Sequence, residues 1–479
     1  MTQKVSELFG WLIPMLPPST PHLIFCGLHF LYLLDIQDRF SYSQNMNKQF
    51  HIKKYLSLGI ILLLLTPACS WARETLSLRD CFKAALKRSE VLATQQELVI
   101  QAEENYHRAW GAILPSVTGS YSYFHRNAPD LTSSGNTDSS AGQQTLNIMA
   151  DQPLFRGFRD FAALNQTKAL ITAQEQARQW AGMQLYRDVA QAFYTRLAVQ
   201  KDLNVLDNEL ELYQKRIKEL HNRITIGRSR ITEVLTVQAA QAILKAQREQ
   251  VLGQLNVAKE VLAFLTGLDR DIQLDDTDEV PSNAGSLESY QSDINARPDI
   301  MAARKNVEAF KSNVSIAKGA HLPSVDLIGN YYADRPDPHK NGDWDLAITV
   351  TLPIFTGGTI SSNVKTAESQ QRQSEIQLSQ VQRMALEEIR SLHYNFKSDL
   401  TQLAALQEAF NLSEKNYQAN AKDYKLNLVT NLDVLQAITA YQDTHRSLEK
   451  IRYLTKIDYN KLEAAAAHRL SLMKDLEKQ

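Results

Sequence analysis

The side chains of this sequence that could do chemistry are few and scattered. Its three cysteines, Cys26, Cys69 and Cys81, show neither metal-ligand spacing nor a disulfide framework. His221-Asn222 and His393-Tyr394 fall in long helical stretches without partners at ligand spacing, and solvated positions are expected for them. HExxH, GxGxxG, the phosphate-binding loop and GxSxG are all absent. No catalytic residue, cofactor or metal is therefore predicted, and the chain does not read as an enzyme. What remains is a pair of acids set in matching surroundings. IGRSRITEVLTVQAA (226–240) and LNLVTNLDVLQAITA (426–440) align at an offset of 200 residues, with Val234-Leu235 answering Val434-Leu435. Glu233 and Asp433 each stand where a new helix begins, and a carboxylate there caps free backbone N–H groups and meets the positive end of the helix dipole. Glu233 is read first as such a cap; for both acids a second role is weighed below.

The elements that carry these acids are themselves duplicated. LPSV occurs at 115–117 with its leading Leu114, and again at 322–325, each time closing a helical stretch, because proline bars the preceding residue from the helix. DQPLFRGFRD (151–160) is answered by VTLPIFTGGT (350–359), Pro153 by Pro353, Phe155 by Phe355 and Gly157 by Gly357. Between these phrases the hydrophobic period becomes two. Trp344, Leu346, Ile348, Val350 and Leu352 alternate with Asp345, Ala347, Thr349 and Thr351, and SVTGSYSYF, TLNIMAD and SVDLIGNYY behave alike. The spacing predicts one β-hairpin per half, 116–152 and 324–352, joined by polar loops, and four strands per chain.

After each hairpin a very long helix is predicted, from Arg159 to Ile226 and from Ile360 to Leu428, the second free of both proline and glycine. At 1.5 Å per residue each spans roughly 100 Å. Leu206, Leu210, Tyr213, Ile217, Leu220 and Ile224 repeat four and three residues apart, as do Leu403, Leu406, Phe410, Tyr417 and Tyr424, which predicts knobs-into-holes packing on neighbouring helices. An opening helix from about Leu78 to Gly111 and a return helix to about Gly267 together match the long helix in length; the second return helix runs to about Leu470. The first repeat thus covers 73–267, an acidic linker 268–296, the second repeat 297–470 and a short tail 471–479.

Composition bounds the rest. With 52 basic and 53 acidic residues the net charge is −1, so no nucleic-acid partner is indicated. Residues 46–72 have Lys48, Lys53 and Lys54, an apolar run Leu56–Leu65 and a small-residue cleavage site ending at Ala72, the pattern of a secretory signal peptide. The run is too short for a membrane span. Pro67-Ala68 is a poor approach to a lipidated Cys69. Residues 1–45 read as a non-native extension, with translation starting at Met46.

Strands with one apolar and one polar face, rich in Tyr and Trp, follow the membrane-barrel pattern, and a barrel must close. Four strands cannot enclose a pore. Two copies would give a side-chain-filled eight-stranded barrel and three copies a twelve-stranded barrel with a channel, which is preferred.

The duplicated order of helix, LPSV, hairpin, P-[LI]-F-x-G, long helix, turn and [DE]-V-L return helix resembles the TolC-type outer-membrane efflux proteins, over residues 73 to about 470. The resemblance implies a mainly α fold with a membrane β-barrel part. Long coiled-coil-like helices form an α-barrel across the periplasm, and four strands per chain contribute to a homotrimeric twelve-stranded β-barrel in the outer membrane of a Gram-negative bacterium. It implies a passive exit duct of a tripartite efflux pump or type I secretion system. The implied partners are a periplasmic adaptor (membrane fusion) protein, an inner-membrane pump or ABC exporter, and outer-membrane lipid. By the same resemblance Asp433 falls on an acidic-ring position and Tyr424 on a gate tyrosine, while Gln436 and Val429 replace a second acid and a gating arginine. Those departures imply a weaker, hydrogen-bonded closure. Glu233, the repeat partner of Asp433, is read as a cap before a lock, though it is kept with Asp433, Tyr424 and Gln436 among the candidate gate residues. Three copies of Asp433 about a narrow axis would attract cations. The tips, Gly227, Arg228 and Ser229 with Asn427, Leu428 and Val429, are the implied adaptor contacts. A periplasmic coiled-coil adaptor is the alternative, but it would carry one helical hairpin and a lipoyl-like β-domain.

Overall fold

In the computed structural model, residues 75–125, 142–335 and 342–471, together with residue 475, are described. The expected extension 1–45, the signal segment 46–72, much of both hairpin loops and most of the tail lie outside the described residues.

The described residues open with strand β1 (Thr75–Leu76) and helix α1 (Leu78–Arg88), started by a capping box between Ser77 and Asp80. The single opening helix expected to Gly111 is in fact two, because α2 (Glu90–Gly111) begins anew after Ser89. Ser89 has extended backbone; its N–H closes α1 on the Ala85 carbonyl at 2.9 Å, and its Oγ accepts from the Leu92 N–H at 3.3 Å. One serine thus satisfies groups of both helix ends, which makes the break inexpensive.

Strands β2 (Ser116–His125) and β3 (Gly142–Arg156) form the first hairpin, followed by α3 (Arg159–Thr225), 67 residues long, and α4 (Ile231–Thr266). Two stretches of the acidic linker are ordered, β4 (Gln273–Leu274) and α5 (Leu287–Gln291), with a 3₁₀ turn at Ile294–Ala296. The second half repeats the plan with α6 (Pro298–Gly319), β5 (Ser324–Asp334), β6 (Trp344–Thr351), α7 (Thr359–Lys425), again 67 residues, and α8 (Asn431–Ala465). The described residues hold six strands, not the four expected. The extra pair, β1 and β4, is parallel and only two residues long, too short to leave a periodic signal.

The four hairpin strands form one antiparallel sheet in the order β2-β3-β5-β6. Its apolar side chains, among them Tyr121, Ile148, Tyr331, Trp344 and Ile348, are exposed. A hydrogen-bonded polar row crosses the sheet, from Ser120 to Asn147, from Asn147 to Asn330 at 3.4 Å and from Asn330 to Asp345 at 2.9 Å. Among the described residues strands β2 and β6 each have one neighbour only, so both edges are unpaired there. Among the described residues no helix is long and apolar enough to cross a membrane.

The helices bury three apolar clusters along their length. Phe82, Met183, Tyr186, Phe193 and Leu262 form one; Leu206, Leu220, Val237, Tyr424 and Ile438 form the second, nearer the helix ends. Ile389, Phe396 and Leu462 form the third, and His393 joins it, contrary to the solvated position expected. Its Nε2 lies 3.2 Å from the Gly285 carbonyl and its ring 5.9 Å from that of Tyr290, because the ordered linker covers this face of α7. Cys81, the one cysteine among the described residues, is buried in the first cluster, and that burial pushes its thiol up to about 12. At the start of α6, buried Arg297 joins the halves. It donates to Asp299 (2.8 Å), Glu388 (3.0 Å) and the Ala465 carbonyl (2.8 Å), and lies over the Trp180 ring at 4.5 Å.

Glu209 of α3 is only 5% exposed, and desolvation, reinforced by Asp443 across the helix pair, raises its carboxyl to about 7 despite Tyr213 and Arg446 nearby. The unfolded chain releases this proton near 4.5. Between those values the folded chain holds the extra proton, so stability falls as pH rises through that window. Glu209→Gln is expected to remove the loss, gaining on the order of 2 kcal/mol over wild type at pH 8 and little at pH 4. Denaturant unfolding of both proteins at the two pH values measures it; equal curves at pH 8 would refute a buried, strained carboxylate.

Candidate functional site

The matching acids lie at the far ends of the long helices, where each chain reversal takes few residues. At the end of α3, Gly227 adopts φ +69°, its N–H bonding the Ile224 carbonyl at 2.9 Å and that of Arg228 the Arg223 carbonyl at 2.8 Å. At the end of α7, Asn427 takes the same left-handed conformation, φ +59°, and the Leu428 N–H bonds the Asp423 carbonyl at 2.9 Å. Glycine and asparagine are the residues that enter this region most readily, so each helix closes on its own carbonyls and turns back. Gly227, Arg228, Asn427 and Leu428 are exposed; Ser229 and Val429 are half-buried. Ile226, Leu426 and Leu428 present bare apolar side chains at these tips.

Asp433 is exposed and completes a capping box. Its carboxylate accepts from the Thr430 Oγ1 at 2.6 Å and from the Thr430 N–H at 2.7 Å, and these bonds hold it below the usual carboxylate range. It is therefore charged across the physiological range. Gln436 lies exposed almost one turn on along α8.

Glu233 behaves differently from the cap expected. Its carboxylate accepts from the Ser229 hydroxyl at 2.6 Å and from the Tyr424 hydroxyl at 3.3 Å, while Arg230, the N-cap of α4, makes no side-chain capping bond. The preceding Ser229 hydroxyl draws the carboxylate away from the helix end and toward Tyr424. Glu233 and Tyr424 are thereby brought together from different halves of the chain; Asp433 and Gln436 make no such contact among the described residues.

Tyr424 is 5% exposed, and burial, with the Glu233 charge adding to it, raises its phenol above the ordinary value, so it is a neutral donor. Two guanidinium groups of α3 lie over its ring, Arg216 at 3.7 Å and Arg223 at 4.3 Å from the centroid. Arg216 is buried and donates through Nε and Nη2 to Asn431 Oδ1 at 2.9 and 2.8 Å, and through Nη1 to Glu219 at 2.9 Å. Arg223 donates to the Tyr424 carbonyl at 3.1 Å and to Asn427 Oδ1. Val429 packs against the tip core. The cations come from the other helical pair; Asn431 reads in the sequence as part of a helix-capping stretch, while Arg216 and Arg223 carry no expectation there. The signal was the seven-residue interval between the two arginines, each directly before a core residue, Ile217 or Ile224.

This constellation has no nucleophile–base pair, and no group of three or more His, Cys, Asp or Glu able to hold a metal is found among the described residues. It is a clasp of hydrogen bonds and cation–π contacts joining two helical hairpins at their tips.

Comparison with known proteins agrees with this architecture. The chain is similar to the outer membrane protein TolC of Vibrio cholerae, 26% identical over 60% of this chain and 69% of that one. It is also similar to the proteases secretion protein PrtF of Dickeya chrysanthemi, 21% identical over 82% of this chain and 89% of the relative. The solved structure of the outer membrane protein VceC from Vibrio cholerae superposes with a TM-score of 0.72 at 20% identity, covering 81% of this chain and 95% of VceC. The adaptor alternative falls with these likenesses. The family model for the outer membrane efflux protein matches residues 82–268 and 290–468, the two halves in turn. The chain belongs to the outer membrane efflux protein family, and is an outer-membrane exit duct of the kind that serves efflux or secretion systems.

Proposed function

We propose that three copies of the chain close a twelve-stranded barrel in the outer membrane and a continuous helical tube in the periplasm. Through it solutes or polypeptides pass without chemical change, and the tips of the tube form its gate. The observation that carries the reading is the four-stranded sheet with both edges unpaired and its apolar side chains bare. Closure on neighbouring copies satisfies the edges, and lipid satisfies the apolar face. An exposed seam on α4, with Ile243, Val257 and Phe264 on a seven-residue lattice, supports lateral packing of the helices on a second copy. The mature chain would start at Arg73, after a signal peptide of residues 46–72.

At the tip, the contact of Tyr424 with Glu233 and the cover given by Arg216 and Arg223 keep the second hairpin drawn against the first. Exposed Asp433, repeated about a threefold axis, selects cations at the constriction. Bare Ile226, Leu426 and Leu428 suit an adaptor protein that recruits an inner-membrane pump or exporter.

The test is single-channel conductance of detergent-purified mature protein in a planar bilayer, beside Asp433→Ala. Discrete cation-selective openings are expected, with at least a severalfold loss of cation preference in the variant. Openings with unchanged selectivity would remove Asp433 from the constriction. No openings from folded protein would refute the channel.

A further inference from the structure

The junction between sheet and helices is built twice in the sequence but completed only once within the chain. GAILPSV (111–117) and GAHLPSV (319–325) correspond, so Gly111 is the counterpart of Gly319. PLFRG (153–157) and PIFTG (353–357) correspond likewise, so Gly157 is the counterpart of Gly357.

Gly157 and Gly319 meet. A Cβ on either would run into the carbonyl oxygen of the other, and one on Gly157 would also stand 2.9 Å from the Leu322 Cβ. A Cβ on Gly319 would stand 2.6 Å from the Arg159 Cγ. Both glycines are buried, and directly beside them β3 and β5 pair from Arg156↔Ser324 onward. Only the absence of side chains allows the turn after β3 to touch the end of α6.

The counterparts meet nothing. Gly357 has the same φ of +62° as Gly157, yet a Cβ on Gly357 or on Gly111 would find open space. Both are exposed, and beside Gly357 the Phe355 side chain stands 87% exposed where its counterpart Phe155 is half-buried, and Ile354 94% where its counterpart Leu154 is 54%. The positive φ accounts for Gly357. It does not account for Gly111, the last residue of α2, which has open space where a side chain would stand and no positive φ. Among the described residues nothing calls for a glycine there.

We propose that Gly357 of one copy meets Gly111 of the next in the manner of Gly157 and Gly319, with β6 of the first copy pairing β2 of the second. The joint between copies then repeats the joint between halves. This inference rests on the trimeric reading above and adds to it the residues of the contact. The occupant is a second copy of this chain because the chain already displays both sides of the joint, assembled once and left open once.

The test uses full-length mature protein in detergent, with Gly111→Ala and Gly111→Leu beside wild type. Oligomeric state is read by light scattering across a dilution series, and helix content by circular dichroism. Both variants should keep wild-type helix content, since the lone chain has room for them. Gly111→Ala should need roughly tenfold more protein to assemble, as expected for overpacking a close contact, and Gly111→Leu should stay monomeric. As a second measurement, Leu114→p-benzoyl-phenylalanine, at the counterpart of Leu322, should photo-crosslink to residues 354–359 of another copy. Trimers of Gly111→Leu at wild-type concentrations, or crosslinks mapping elsewhere, would overturn the contact while leaving the trimer intact. A monomeric wild type would overturn both.

Discussion

Gly157→Ala should prevent the two halves of the chain from joining at the base of the sheet. Two separate costs act at this position. At φ +62° an alanine pays about 1–2 kcal/mol for left-handed backbone alone. Its Cβ would also overlap the Gly319 carbonyl oxygen and press on the Leu322 Cβ at 2.9 Å, and a main-chain oxygen at a helix end cannot swing aside as a flexible side chain can. The sum should exceed about 4 kcal/mol, at the upper end of what single substitutions do. Gly227→Ala is the internal control, because Gly227 has φ +69° but open space around its Cβ. It should pay the backbone cost only. Thermal unfolding of the three proteins, followed by circular dichroism, separates the contributions. If Gly157→Ala melted no lower than Gly227→Ala, the glycine contact would not be what fixes the junction.

Arg216→Ala should release the tip. The guanidinium is 6% exposed, bonds buried Asn431 twice, and covers the Tyr424 ring. Its removal leaves the Asn431 amide oxygen without these donors and Glu219 without its partner, besides ending the cation–π contact. Truncating one member of a buried charged network typically costs about 3–5 kcal/mol. Here much of it falls on one contact, that between the α3 end and the start of α8. Tyr424→Phe, by contrast, deletes one bond of 3.3 Å to Glu233 and should cost only about 1 kcal/mol. Arg223→Ala should fall between, since that side chain is half-buried and its Nε has no partner. Single-channel recordings should rank the open conductance in the same order, with Arg216→Ala the largest. Equal conductance for Arg216→Ala and wild type would mean that the arginine holds the fold but not the gate.

These residues also show what could be read from sequence. The duplication, hairpins and long helices were legible because each leaves a periodic signal over many residues: period two in Trp344–Leu352, heptads in Leu206–Ile224, and phrases repeated 200 residues apart. Tyr424 was legible as a heptad position and Asp433 as a helix-start acid, but their roles at a gate came from resemblance alone. Arg216 and Arg223 were illegible as a pair with Tyr424, since a charged residue beside a heptad position looks solvated until the partner helix is known. For Glu233 the cap was ranked above the lock for a similar reason. Its position at a helix start suggests a cap, and only the fold reveals that Ser229 and a tyrosine from the other half claim it. The Ser89 break had a local signal, a serine followed by glutamate, but it was outweighed by unbroken helix formers on both sides.

The duplicated halves agree closely at the sheet junction and diverge at the tips. Gly157 and Gly357 share one φ, whereas Arg230 corresponds to Thr430 and Glu233 to Asp433, and of the two return helices the second alone carries a capping box. In a ring of three copies the upper end therefore approaches sixfold equivalence, and the lower end is strictly threefold. A ligand that docks on the tips meets two unlike sites in alternation, so it must bind them with unequal strength or engage one of each.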